Sequence, residues 1–137
     1  MSVGLESARR MSDAGMAKAE EMGLKITVAV LDQGGHIISV ARMDGAGFLS
    51  PEIALGKAYA AAAFRRDSAL VEALAATKTA LFSGLSTLTQ GRLLAGGGGL
   101  PIMRDGELLG AVAVSGGKAE QDEEVARAAL AVFDDQP

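Results

Sequence analysis

Two pairs of short β-prone stretches, each joined by a tight turn, constrain the fold of this chain more than any other feature. Residues 25–32 and 36–43 flank a Gln-Gly-Gly turn, while residues 100–104 and 107–115 flank the dipeptide Asp105-Gly106. An Asp-Gly pair favours the type I′ turn that closes a two-residue hairpin. Strands connected this closely pair antiparallel. The sequence therefore predicts an antiparallel sheet made of two hairpins.

Helical patterns surround both hairpins. Apolar periodicity predicts four helices, over residues 5–22, 50–65, 67–76 and 119–134. The pair Ser50-Pro51 is typical of a helix start, with serine as the cap, and Asp67-Ser68 is expected to cap the next helix. Residues 77–90 fit no single pattern and are expected to form short helical turns and loop. This order predicts one α+β domain over residues 1–137.

The composition excludes several classes of function. The net charge is −4 without a basic run, which argues against nucleic acid and anionic membrane as partners. The chain has no cysteine and one histidine, so thiolate chemistry and the usual zinc sites are not available. Apolar runs stay far below the roughly 18 residues of a membrane span. We expect a cytoplasmic protein.

The helix predicted over residues 50–65 carries a single charge in its middle. Lys57 is the only charged residue between Ile53 and Phe64. A helix that is apolar on nearly all sides must be covered on nearly all sides, which we interpret as a sign of a homo-oligomer. The embedded ammonium needs a partner. It either faces a pocket and binds an anion, or it reaches solvent or forms a structural salt bridge.

Four stretches of the sequence resemble the GlcG/HbpS-like family, which also forms the C-terminal half of PduO-type proteins. They are AVLDQGGHIISVARMDGA (29–46), ALGKAYAAAAF (54–64), GGGGLPI (96–102) and GELLGAVAVSGGKAEQDEEVA (106–126). The resemblance implies a profilin-like sheet flanked by helices, assembled as dimers or larger rings. Some members of the family bind haem. This chain departs from the family pattern at Ala113, where glycine is usual, and in its four consecutive glycines.

Charged residues near the ends of predicted elements are the first candidates for a site. Arg42 is expected to bind an anionic group of the ligand, and Asp44 to act as a base or an orienting carboxylate. Alternatively, these two residues form a local ion pair with each other or with Lys57. The family motif suggests that Asp122 is a site acid or the partner of Lys57, with Glu120 nearby. The alternative is that these acids only complement the dipole of the last helix.

The remaining candidates follow from the resemblance or from rarity. Glycine and turn residues of the two motifs are expected either to allow close backbone packing or to form a ligand-facing wall, namely Gly99, Pro101, Ser115 and Gly116. His36 is the only histidine and could serve as a haem ligand or a general base, or it could simply follow a turn. Tyr59 and the methionines are further iron-ligand candidates, each with core packing as the alternative.

Two functions follow from these residues. The first is binding of haem, or of another small anionic ligand, in a pocket lined by Lys57 and Arg42. The second is a cofactor-independent enzyme, a lyase, isomerase or hydrolase, acting on a small carboxylated metabolite in a catabolic pathway. In that case Asp44 or Asp122 is the base, and Lys57 or Arg42 binds the anion. A structural role inside an enzyme complex is a third interpretation.

Overall fold

A computed structural model describes residues 2–135 as a four-stranded antiparallel sheet flanked by helices. The strands are β1 (Thr27–Asp32), β2 (Ile37–Arg42), β3 (Gly99–Arg104) and β4 (Glu107–Ser115). The helices are α1 (Leu5–Glu21), α2 (Ser50–Phe64), α3 (Ser68–Thr77), α4 (Thr79–Leu88) and α5 (Ala119–Asp134). The sheet order is β2-β1-β4-β3, so each hairpin is kept intact and the two join through β1 and β4. The predicted α+β class is confirmed.

Each hairpin contains a register shift, which in the second hairpin lies between Ile102 and Met103. Asp105 and Gly106 have φ angles of 55° and 79°, as both central residues of a type I′ turn require. In the first hairpin the register shifts between Val30 and Leu31. This bulge turns Ile38 toward the core under α1 and α5, while Val40 and Arg42 pair with residues of β1 whose side chains lie on the α2 side. Regular strand alternation would place residues 36, 38, 40 and 42 on one face, and the bulge prevents this.

The sheet packs a different core on each face. Valines of β1 and β4 pack against α1 and α5, and small residues of the same strands, such as Ala111 and Ala113, lie under α2. Within the chain α2 is covered by the sheet, by α3 and by the segment that includes Leu94, whose amide donates a 3.2 Å hydrogen bond to the Gly56 carbonyl. The apolar character of α2 therefore does not require a second subunit, and that argument was wrong. Assembly itself stays a prediction.

Three local expectations are corrected. Leu49, not Ser50, precedes α2 as the capping residue, and the Ser50 hydroxyl instead donates to the Gly47 carbonyl at 2.7 Å and contacts the Thr27 hydroxyl. Asp67 precedes α3 without a side-chain capping bond, and its carboxylate accepts from Arg127 at 2.9 Å. Residues 79–88 form a regular helix rather than turns and loop. Serine, threonine and glycine mask its apolar spacing because they are weak helix formers.

Candidate functional site

The centre of the candidate site is an ion pair between α2 and α5. The Lys57 ammonium donates to the Gly97 carbonyl at 2.9 Å and to the Asp122 carboxylate at 3.2 Å. Both side chains are almost fully buried, with 5% and 4% of their surface exposed. Of the alternatives raised for Lys57, the structure shows the salt bridge, and it shows Asp122 rather than Asp44 as the partner.

Asp122 is positioned by the chain before α5 as well as by its helix. Its second carboxylate oxygen accepts a 2.8 Å hydrogen bond from the Gly117 amide. The Gln121 side chain caps the same turn by accepting from the Lys118 amide at 2.9 Å. A carboxylate in the first turn of a helix also lies in the favourable field of the helix dipole. Asp122 is therefore held in one orientation, with one oxygen left for Lys57.

Burial lowers the pKa of Lys57 below its ordinary value of 10.5, because the low-polarity surroundings penalise the charged form. The Asp122 carboxylate acts in the opposite direction by its charge and its hydrogen bond, and the Glu72 carboxylate does so more weakly. Loss of the proton from Lys57 is thus easier than for a lysine on the surface.

An open depression of about 320 Å³ lies against this ion pair. Its wall is lined by Lys57, Asp122, Ser115 and Glu72, together with the glycine-rich segment at Gly96 and Gly97. It contains one ammonium and two carboxylates. Such a small, partly polar depression is at the lower limit of sites that hold small molecules.

The glycine run packs directly beneath the ammonium. A methyl group on Gly98 would lie 2.7 Å from the Lys57 nitrogen and 2.8 Å from the Val114 carbonyl oxygen, and its φ of +121° disfavours any other residue. The Gly99 amide donates to the Ser68 hydroxyl at 2.7 Å, and a Cβ there would meet the Lys57 carbonyl. These glycines allow α2 and β3 to approach closely.

The other residues proposed near this motif lie in different surroundings. Pro101 sits within β3 opposite Ala111, and Glu120 and Gly116 are exposed at the start of α5 and just after β4. Of the residues predicted from the sequence, the structure brings Lys57, Asp122 and Ser115 together at one depression.

Arg42, Asp44 and His36 are not among the residues that line the Lys57 depression. Arg42 is exposed at the end of β2 and donates to the Ala46 carbonyl at 2.9 Å. Asp44 lines a separate, shallow and mostly acidic depression beside α1. The His36 side chain is 80% exposed at the hairpin turn, and its Nδ1 lies 3.2 Å from the Asp32 carboxylate.

A groove between β2 and α2 was missed by the sequence analysis. Two adjoining depressions, each of about 210 Å³, share Gly35 and Tyr59 in their walls. The more apolar of the two depressions is lined by Leu31, Ile37 and Leu55, and Arg92 also lies in its wall. The Arg92 guanidinium lies over the Tyr59 ring, 5.6 Å from its centroid.

The groove is open because α2 covers little of β2. Ile37 and Val40 are 63% and 38% exposed on the uncovered strand face. Arg42 continues that face at the far end of the strand, opposite Thr27. The apolar residues Ile37 and Val40 of this edge strand were the one available signal, but the sequence did not show that α2 would leave them uncovered.

The described residues hold no cluster of three or more histidine, cysteine or carboxylate side chains suited to a metal ion. Within residues 2–135 no helix has the length and apolar character needed to cross a bilayer.

The chain is similar to known proteins in both sequence and structure. A family model described as haem degrading protein HbpS-like matches residues 3–131. An uncharacterized 15.0 kDa protein from the dhaT-dhaS intergenic region of Citrobacter freundii is 37% identical over 131 residues, covering 96% of this chain and 92% of that protein. The corrinoid adenosyltransferase PduO of the same organism is 31% identical over 133 residues, but the chain spans only 39% of its length.

Solved structures agree with the sequence comparisons. Klebsiella pneumoniae protein ORFY superposes with a TM-score of 0.90 at 33% identity, covering 98% of this chain and 92% of that one. A PduOC:heme complex superposes with a TM-score of 0.86 at 29% identity, covering 96% of this chain and 95% of that one.

Proposed function

The chain belongs to the HbpS-like family, and from that premise we propose that it binds haem in the groove between β2 and α2. The observation that carries the proposal is the groove itself. It combines an uncovered apolar wall, the Tyr59 phenol group and the Arg92 guanidinium. The likeness to a haem complex across 96% of the chain supports the same ligand class.

The apolar wall matches the chemistry of the macrocycle. Haem is a flat, largely apolar plate, and its burial is driven by removal of apolar surface from water. Ile37 and Val40 offer such surface on β2, and Leu55 offers it on α2. Exposed apolar patches of this kind commonly mark binding sites.

Two arginines match the charge of the propionates. Arg92 lies over the Tyr59 ring in the groove wall, and Arg42 lies outside the groove, at the end of β2. A guanidinium has five N–H donors, so the bond from Arg42 to the Ala46 carbonyl leaves others for a carboxylate. Glu52 in the groove wall repels the propionates and favours their placement at the arginines. Lys57 does not serve this ligand, because Asp122 already neutralises it.

Tyr59 is the residue we assign to the iron. Phenolate oxygen is an established haem ligand, and Tyr59 lines both parts of the groove. His36 remains the alternative, since the Asp32 carboxylate holds its Nδ1 and leaves Nε2 available. Bound haem would supply the redox and oxygen chemistry, while the chain supplies apolar cover, charge and one ligand.

A haemin titration followed in the Soret region tests the proposal. The parent chain is expected to saturate near one haem per chain. Ile37→Asp places a charge in the groove and should weaken binding at least tenfold. Leu5→Asp is the matched control, since Leu5 is 47% exposed on α1, and it should bind like the parent. Equal haem affinity of the two variants would refute the proposed site. The absence of a saturable Soret change in the parent would refute haem binding itself.

The iron ligand is tested on the same titration. Tyr59→Phe should change the electron paramagnetic resonance spectrum of the ferric complex, whereas His36→Ala should leave it unchanged. The reverse pattern would assign the iron to His36. Arg42→Ala and Arg92→Ala are each expected to weaken binding several-fold without changing the spectrum.

Assembly into a homo-oligomer remains part of the proposal on different grounds from those first considered. Leu70, Leu81 and Leu88 on α3 and α4 are each more than half exposed. Light scattering after size-exclusion chromatography should give a mass above that of one chain, and a monomer at micromolar concentration would contradict assembly.

A further inference from the structure

The Lys57 amine has the properties of a nucleophile rather than of an anion receptor. It lines an open depression, yet only 5% of its side chain is exposed. Its burial makes the neutral amine easier to reach than in a surface lysine. A carboxylate that can take up the released proton lies 3.2 Å away. Desolvation is one of the ways in which a lysine becomes the neutral amine that attacks a carbonyl group.

The charges in the depression decide which carbonyl compounds suit it. Lys57 contributes one positive charge, and Asp122 and Glu72 contribute two negative ones. The excess carboxylate repels an anionic substrate at close range, where such interactions amount to several kcal/mol at roughly 4 Å. A neutral aldehyde or ketone carries no such penalty. The volume of about 320 Å³ is sufficient for a small aldehyde or ketone.

We propose that Lys57 forms a Schiff base with a small neutral aldehyde or ketone in the depression beside Asp122. This site is separate from the haem groove and does not depend on haem binding. The proposal modifies the anion-binding role expected for Lys57 from the sequence, because the structure pairs its charge with a carboxylate.

The step balances within the described residues. The Lys57 ammonium passes a proton to Asp122, and the free amine attacks the carbonyl carbon. The new carbon–nitrogen bond forms as the nitrogen proton moves to the carbonyl oxygen, which gives a carbinolamine. Asp122 then returns its proton to the hydroxyl group, which leaves as water. The product is a protonated imine beside an ionised Asp122, with the Gly97 carbonyl as a second acceptor for the N–H group.

Borohydride trapping tests this reaction directly. The full-length protein is incubated with acetaldehyde and sodium borohydride at pH 7, and peptide mass mapping locates the reduced adduct. The chain has five lysines, so the other four are internal controls. We expect Lys57 to be modified at least tenfold faster than exposed Lys25 and Lys118, despite its burial. Labelling of Lys57 no faster than of these two would overturn the proposal.

Variants separate mechanism from simple accessibility. Asp122→Asn should slow labelling of Lys57 at least tenfold without changing that of Lys25. Lys57→Arg should abolish the adduct at this position, and Lys25→Arg is the matched substitution that should leave it intact. Pyruvate, which carries a carboxylate, should label Lys57 more slowly than acetaldehyde. Faster labelling by pyruvate would contradict the charge argument. A failed haem titration leaves all of these outcomes unaffected.

Discussion

Removal of one partner from the Lys57–Asp122 pair should destabilise the fold strongly, and removal of both charges should cost less than either single change. Lys57→Met keeps the approximate shape of the side chain but leaves Asp122 buried, with the Gly117 amide as its remaining hydrogen-bond donor in this arrangement. Asp122→Asn leaves a buried ammonium bonded to the Gly97 carbonyl. Breaking a buried pair in this way costs about 3–5 kcal/mol, mostly because a charge is left uncompensated.

The double variant Lys57→Met/Asp122→Asn has no buried charge at this position. The asparagine oxygen can still accept from the Gly117 amide, and its NH₂ group can donate in place of the lysine. We expect a net cost of about 1–2 kcal/mol, because only hydrogen-bond and packing differences remain. The double variant should therefore be more stable than either single variant.

Urea denaturation followed by circular dichroism measures all four free energies of unfolding. The coupling energy from the double-mutant cycle should be at least about 2 kcal/mol and favourable to the pair. Single costs below about 1 kcal/mol that simply add would refute the reasoning, since they would mean that water reaches both charges.

Three further predictions concern conformation, exposure and pH. Gly98→Ala should destabilise the fold by about 2–4 kcal/mol, because Gly98 has a positive φ and the added methyl group would contact Lys57. Gly84 lies in α4 and a Cβ there would meet nothing within 4 Å, so Gly84→Ala should stabilise the fold by about 0.5–1 kcal/mol. Thermal melts compare the two variants. Arg127→Ala removes an exposed ion pair with Asp67 and should change the unfolding free energy by less than about 1 kcal/mol in urea. Between the lowered pKa of Lys57 in the folded chain and its ordinary pKa of 10.5 in the unfolded chain, the unfolded chain binds a proton that the folded chain has lost. In this window the unfolding free energy of the parent should therefore rise with pH relative to that of Lys57→Met. A difference between the two unfolding free energies that stays constant or falls with pH in urea titrations would contradict the lowered pKa of Lys57.

Local chemistry explains which parts of the fold the sequence predicted well. The Asp105-Gly106 turn requires positive φ at two successive positions, and few dipeptides tolerate that, so the turn of the second hairpin was predicted closely. The bulge near Leu31 depends instead on how β2 meets the cores on both faces, which no short pattern shows. The Ser50 capping prediction failed for a similar reason, because the Thr27 and Gly47 partners come from tertiary packing and the preceding loop.

The candidate site was also predictable from the sequence only in part. A lone lysine in an apolar helix indicated that Lys57 needed a partner, and the family motif suggested Asp122. The depression beside them follows from the same glycine-rich segment that had been expected to form a wall. The groove at Tyr59 could not be foreseen, because it depends on the distance between α2 and the edge strand. Arg42 was predicted to line the same pocket as Lys57. The sequence did not show that β2 is an edge strand, which places Arg42 away from the Lys57 depression.

A crystal structure of the protein loaded with haem tests the central claim most directly. The proposed function predicts the macrocycle against Ile37 and Val40, with Tyr59 at the iron and the propionates near Arg42 and Arg92. Haem bound at the Lys57–Asp122 depression, or on a surface that leaves the β2–α2 groove free, would contradict it.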